Sequence, residues 1–177
     1  VAGRAMLVAL PHDVQQVADM VNVCREAGIA ITPQGGNTSV SASGVPAETG
    51  DNIVVSLKRM NSIRDVSSAG YSLSADAGAT LQAVQEAAAD QERFFALDIG
   101  ARGSCTIGGC VSTNAGGLNT LRYGNCREHV LGIEAVLADG TIWNGMRRLR
   151  KDNSGYDLKQ LFIGAEGTLG IVTGVTL

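Results

Sequence analysis

Asp98–Gly117 reads DIGARGSCTIGGCVSTNAGG. Six glycines (Gly100, Gly103, Gly108, Gly109, Gly116 and Gly117) are interleaved with the small polar side chains of Ser104, Thr106, Ser112, Thr113 and Asn114. Glycine costs about 0.5–1 kcal/mol relative to alanine inside a regular element, so this density makes poor core and suits backbone that approaches something closely. Amides freed by turns, with hydroxyl donors beside them, can hold a phosphate-bearing ligand without a basic cluster. Taken alone, the stretch leaves a long glycine-rich surface loop as the lesser alternative.

Two further glycine-bearing segments frame it. Upstream, Pro33, Gln34, Gly35, Gly36, Asn37, Thr38 and Ser39 follow a short apolar run. Pro33 keeps the residue before it extended, and the glycine pair permits a sharp turn into three polar side chains. The segment matches neither GxxxxGK[ST] nor GxGxxG, which disfavours a P-loop nucleotidase and a Rossmann dinucleotide site. By itself it also reads as an ordinary turn. Downstream, Glu166, Gly167, Thr168, Leu169, Gly170, Ile171 and Val172 run into an apolar strand. Glu166 can accept a hydrogen bond from a ligand hydroxyl or cap a turn, and the spacing leaves both open.

The elements around these segments alternate. Met6–Leu10 reads as a strand. Asp13 is an N-cap with Gln16 completing a capping box, and Val14, Val17, Ala18 and Val21 form one helical face that stops at Gly28. Ile29–Thr32 is a second strand, so the chain opens with a β-α-β unit suited to a parallel sheet. Ile53–Leu57 is a third strand. Ser72–Ala77 alternates like a strand with one covered face, and Thr80 caps a helix carrying Leu81, Val84, Ala87 and Ala88. Val130–Leu137 turns through Asp139-Gly140 into Thr141–Asn144 as a hairpin, and Asp157–Phe162 is a short helix. The fold class that follows is α+β. A small parallel β-α-β lobe over about residues 1–63 is joined to a larger, mainly antiparallel lobe with flanking helices over about 64–177.

Composition narrows the function. A formal charge of −3 and a pI near 5.3 supply no electrostatic footprint for nucleic acid. The run Arg147, Arg148, Arg150 and Lys151 reads as a solvated or domain-contact face. No apolar run reaches the 18 or so residues of a transmembrane helix. Four cysteines without a CxxC pair suit reduced thiols in the cytoplasm, or in the mitochondrion of a eukaryote. His12 reads as a capping or solvated residue at the helix start.

The three segments in this order resemble the FAD-binding domain of the vanillyl-alcohol oxidase and p-cresol methylhydroxylase superfamily, whose two lobes hold FAD between them. TNAGG at 113–117, LRYG at 121–124, VLADGT at 136–141 and RKDNSGYDLKQLFIGAEGTLGI at 150–171 look like the D-2-hydroxyacid dehydrogenase branch, which takes in D-2-hydroxyglutarate dehydrogenase, D-lactate dehydrogenase and the flavin subunit of glycolate oxidase. The resemblance implies that Pro33–Ser39 wraps the diphosphate through backbone amides. It puts Asp98, Gly103, Ser104, Cys105, Thr106, Gly108 and Gly109 beside the diphosphate and flavin, continued by Thr113, Asn114, Ala115 and Gly116. Glu166, Gly167, Thr168, Leu169, Gly170, Ile171 and Val172 then bind the adenosine end.

The resemblance further implies an FAD-dependent oxidoreductase that moves hydride from a 2-hydroxy acid to flavin N5, giving a 2-oxo acid and passing electrons to an acceptor that the sequence does not identify. A homo-oligomer is left open. Many relatives tether FAD through a histidine of the first loop, where this chain has Asn37 and Thr38, so non-covalent FAD is expected. Cys105 lies near a tether position of doubly tethered relatives and reads here as a small buried thiol. Cys110 stands where asparagine is expected. The resemblance places the catalytic residues and a metal site in a further C-terminal substrate domain outside these residues; this chain, with two histidines and no ligand spacing, is not expected to supply one. The chain is therefore expected to be inactive alone. An alcohol or sugar oxidase of the same superfamily, or a module that has lost FAD, remain the alternatives.

Overall fold

The computed structural model describes residues 2–177. It begins with a small parallel sheet in which β1 (Leu7–Ala9) and β2 (Ala30–Gln34) flank β3 (Asn52–Ser56). Between β1 and β2 lies α1 (Val14–Ala27), started by the extended Asp13, whose carboxylate accepts the Gln16 N–H at 2.8 Å. Gln16 Oε1 in turn accepts from His12 N at 2.9 Å, one residue further back than a capping box requires. Gly28 ends the helix in the left-handed region at φ 65°. The opening β-α-β unit is split by β3, which is buried at all five positions and so takes the centre, while Leu7 and Val8 stay more than half exposed at the edge.

A 3-10 turn (Leu57–Arg59) leads into the second sheet, ordered β4 (Ile63–Ser67), β5 (Ser72–Asp76), β8 (Ile171–Thr176), β6 (Gly132–Val136), β7 (Ile142–Gly145), with every pairing antiparallel. The hairpin at Asp139-Gly140 closes with Leu137 N donating to Thr141 O at 2.9 Å. β5 departs from expectation. It is covered on both faces, because Leu73 and Ala75 join the hydrophobic core while Ser74 Oγ shares a hydrogen bond with Thr176 Oγ1 at 3.0 Å. Its last residue, Asp76, belongs to an ionic cluster laid across four neighbouring strands. Arg64 Nε donates to Asp76 at 2.7 Å and Arg64 Nη2 to Glu134 at 2.9 Å, and Thr173 Oγ1 also donates to Glu134. Burial pulls the Arg64 pKa down, and the two carboxylates more than reverse that, leaving it raised.

The short helices lie on this framework: α2 (Leu81–Ala89), α3 (Ile107–Ser112), α4 (Thr120–Tyr123), α5 (Cys126–His129) and α6 (Lys159–Phe162). The central glycine-rich stretch is the main correction to the sequence reading. Far from being all loop, it contains α3, with Ile107, Gly108, Cys110 and Val111 buried. Ile107 N donates to Ala79 O and Gly108 N to Ala77 O, both at 2.8 Å, docking the helix start on the β5–α2 connection. Apolar residues at 107, 110 and 111 carry helical spacing that the surrounding glycines obscure. The ends of the stretch are drawn together by Leu118 N donating to Asp98 O at 3.0 Å. The basic run is exposed and partly paired, Arg147 with Asp152 and Arg148 with Asp65.

Candidate functional site

A cleft of about 390 Å³ opens where the three glycine-bearing segments meet. The first contributes Pro33, Gln34, Gly35, Gly36, Asn37, Thr38 and Ser39 to its wall. The second contributes Cys105, Thr106, Gly108, Gly109, Thr113, Asn114, Ala115 and Gly116, and the third Glu166, Gly167, Gly170, Ile171 and Val172. Five expected residues lie outside the lining. Asp98 is engaged through its carbonyl and an ion pair with Arg102, Gly103 lies beside Gln82, and Ser104 belongs to a turn bonded to Ala101. Thr168 and Leu169 line a smaller neighbouring hollow against α1.

The cleft wall presents uncommitted donors. Among the described residues, the amides of Gly36, Asn37, Thr38 and Ser39 donate to no backbone or side-chain acceptor of the protein. Thr106 Oγ1 is buried without a hydrogen-bond partner. Gly35 lies against it, since a Cβ there would come within 2.2 Å of that hydroxyl. Gly36 is required for a different contact. A Cβ at this position would meet Ser104 O at 2.0 Å, so only glycine lets the first loop lie on the second. Asn37, Asn114 and Glu166 all adopt positive φ, at 54°, 46° and 50°. Such backbone is uncommon outside glycine, more so for glutamate than for asparagine, and here one instance falls in each segment.

Hydrogen bonds between segments hold this geometry. Gly164 N donates to Val111 O and Glu166 N to Ser112 O, fixing the third segment on the end of α3. Ser41 Oγ reaches Glu166 at 3.3 Å, and Gln34 Nε2 donates to Gly44 O at 2.7 Å. Arg127 ties two more elements in. Its backbone N–H donates to Asn114 Oδ1 at 3.0 Å, while its guanidinium donates to Gln160 O, Gln160 Oε1 and Ile163 O. The sequence reading missed Arg127, which stands in no motif. It also missed the lining residues Val40, Ser41, Ser43, Gly44, Leu57, Ala77, Ile99, Ala101, Cys110 and Ser112. Of these, the serines of the 39–43 stretch carried a signal, as a donor-rich continuation of the first loop.

Four free thiols are present, all buried. Cys105 and Cys110 both line the cleft, with Cys110 Sγ donating to Cys105 Sγ at 3.9 Å. That hydrogen bond holds the Cys105 thiol down to about 7 against the opposing effect of burial. Cys110 is raised by the same contact and by burial. Burial, with Glu128 nearby, pushes Cys126 up to about 12. No group of residues able to hold a metal ion occurs among the described residues.

A second cavity of about 480 Å³ is lined by Tyr71, Phe94, Phe95, His129, Arg93 and Arg150 among others. Its uncommitted buried polar atoms are Ser72 Oγ and His129 Nε2. The cleft at the three segments is better suited to a diphosphate, since its spare donors are a run of adjacent amides rather than isolated side chains.

The family model described as "FAD binding domain" matches residues 5–145. The chain is 46% identical over 175 residues to the D-2-hydroxyglutarate–pyruvate transhydrogenase of Saccharomyces cerevisiae, a match covering 99% of this chain and 35% of that protein. It is 46% identical over 177 residues to the mitochondrial D-2-hydroxyglutarate dehydrogenase of Bos taurus, covering 100% of this chain and 32% of the relative. The chain thus spans about a third of the length of these curated relatives. Among solved structures, an alkyldihydroxyacetonephosphate synthase superposes with a TM-score of 0.82 at 23% identity, over 96% of this chain and 33% of that one, which is a likeness of fold.

Proposed function

The chain belongs to the FAD binding domain family, and from that premise we propose that the cleft between its three glycine-bearing segments holds FAD non-covalently for a D-2-hydroxyacid dehydrogenase. The observation that carries this reading is the row of amides from Gly36 to Ser39 without acceptors, beside the unpaired hydroxyl of Thr106. Uncharged donors so arranged neutralise a diphosphate through oriented dipoles. In this reading Pro33–Ser39 takes the diphosphate. Cys105, Thr106, Gly108, Gly109 and Thr113–Gly116 run alongside the diphosphate and flavin, and Glu166, Gly167 and Gly170–Val172 receive the adenosine end. Asp98, Gly103, Ser104, Thr168 and Leu169 act behind the wall, shaping it through turns and backbone bonds. Residues 1–63 and 64–177 form the two lobes.

FAD bound there supplies the hydride acceptor, and the protein's part is binding and orientation. The identity of 46% with the D-2-hydroxyglutarate–pyruvate transhydrogenase and the D-2-hydroxyglutarate dehydrogenase supports a small 2-hydroxy acid as the substrate of the whole protein. The remaining length of such a protein would supply the substrate-binding groups. Four cysteines without a CxxC pair, together with the mitochondrial D-2-hydroxyglutarate dehydrogenase of Bos taurus among the relatives, favour a reducing compartment, the mitochondrion in a eukaryote. No helix among the described residues is long and apolar enough to cross a membrane.

Two measurements test the reading. The chain is incubated with FAD, desalted and denatured; yellow colour should stay through desalting and leave with the small molecules on denaturation. Colour remaining on the denatured chain would contradict non-covalent binding. For the substrate, anaerobic D-2-hydroxyglutarate or D-lactate should bleach the flavin of a chain extended to the relatives' full length, and the L-enantiomers should not. Bleaching by simple alcohols or sugars instead would overturn the hydroxy-acid assignment.

A further inference from the structure

Cys105 and Cys110 flank the first turn of α3. Cys105 sits one residue before the N-cap Thr106, and Cys110 is the fourth residue of the helix. Side chains at these two positions meet across the helix start, as in a hydrophobic staple. Here both are thiols, 3.9 Å apart, and both form part of the cleft wall. Cys24 and Cys126 lie outside the lining. We propose that Cys105 and Cys110 form a peroxide-responsive dithiol pair that closes to a disulfide and alters the cofactor cleft. The effect on the cofactor rests on the FAD reading above; formation of the bond does not.

The chemistry has two steps. The Cys105 thiolate attacks one oxygen of hydrogen peroxide, the O–O bond breaks, and Cys105 becomes a sulfenic acid as hydroxide leaves and takes up a proton to form water. Cys110 sulfur then attacks the Cys105 sulfur, the S–O bond breaks, and a second water departs with the Cys110 proton. Two thiols are oxidised by two electrons in total and one peroxide is reduced to two waters. A thiol held near 7 beside a protonated partner has the character of an attacking and a resolving cysteine. Access is through the cleft, since Cys105 and Cys110 are only 6% and 3% exposed.

Closing the bond brings the sulfurs from 3.9 Å to about 2.05 Å. The first loop leaves little slack for that movement. A Cβ on Gly36 would lie 2.9 Å from Cys105 Cα, so the loop rests directly on the backbone that carries one of the two thiols. The oxidised cleft should therefore bind FAD more weakly by about tenfold or more.

The test uses the reduced, FAD-free chain exposed to hydrogen peroxide, then denatured in N-ethylmaleimide and weighed. Reduced protein should take four maleimides and oxidised protein two. Trypsin releases Gly103–Arg122 with both cysteines in one peptide, which should be lighter by two hydrogens and carry no maleimide. In Cys110→Ala the same treatment should leave a dimedone-reactive sulfenic acid on Cys105. Four maleimides after peroxide, or a bond to Cys24 or Cys126 instead, would overturn the pair. The wild-type mass result stands whether or not a variant folds. FAD titration of the reduced and oxidised wild-type chain then tests the coupling: equal affinity in the two states would overturn it. A chain that forms the bond yet binds no FAD when reduced would sink the FAD reading and leave the dithiol pair intact.

Discussion

Thr106 is the N-cap residue of α3, yet its side chain makes no capping bond, and its buried hydroxyl has no partner. A buried unpaired hydroxyl costs about 1–3 kcal/mol, so its retention at a cleft wall points to a ligand that completes it. Thr106→Val should therefore leave the unfolding free energy of the FAD-free chain in urea unchanged, or raise it by about 1 kcal/mol at most. The same change should weaken FAD binding about fivefold to tenfold, near the net worth of one hydrogen bond. A fall in apo stability with unchanged affinity would make Thr106 a structural residue only. Cys105 allows a second check at this scale. Its iodoacetamide reaction in the FAD-free chain should rise to half-maximum near pH 7, while Cys126, pushed up to about 12, should stay unreactive in the folded chain throughout the neutral range.

Among the elements, α5 and α6 depend on Arg127. Its guanidinium serves two backbone carbonyls and a side-chain amide, and its backbone N–H holds Asn114 at the cleft. Arg127→Met keeps the apolar stem and strips those acceptors. It should destabilise the chain by about 2–3 kcal/mol in urea unfolding and speed amide exchange over residues 159–167. Unchanged exchange there would show that the third segment is held by Gly164 and Glu166 alone. Nothing in the sequence singles out Arg127, because its partners come from an approach of α5 to α6 over more than thirty residues of chain. The glycine-bearing loops were legible for the opposite reason, since each carries its backbone requirement locally. α3 fell between these cases. Its apolar spacing at 107, 110 and 111 was present, but glycines at 108 and 109 argued against a helix on propensity, and packing on Ala77 and Ala79 overrode them.

Across the whole molecule, the two sheets follow from where apolar strands can be covered. The five buried positions of β3 place it between β1 and β2, an order that reading each strand separately could not supply. The antiparallel sheet adds a polar clasp, Arg64 with Asp76, Glu134 and Thr173, spanning β4 to β6. Glu134→Gln removes one charge while leaving Arg64 partly exposed and still paired with Asp76. The expected loss is about 2 kcal/mol in urea unfolding, below the ~3–5 kcal/mol of a fully buried pair. A neutral result would mean that the clasp contributes register rather than stability.

The central claim is that these sheets and loops assemble one FAD cleft from three separate segments. Hydrogen–deuterium exchange of the chain with and without FAD tests it most directly, because the amides of Gly36–Ser39 have no protein acceptor. FAD should slow exchange at 36–39 and at 106–116 together, with smaller protection at 166–172. Protection confined to Val66–Leu73 and Phe94–Phe95, the walls of the second cavity, would contradict the assignment.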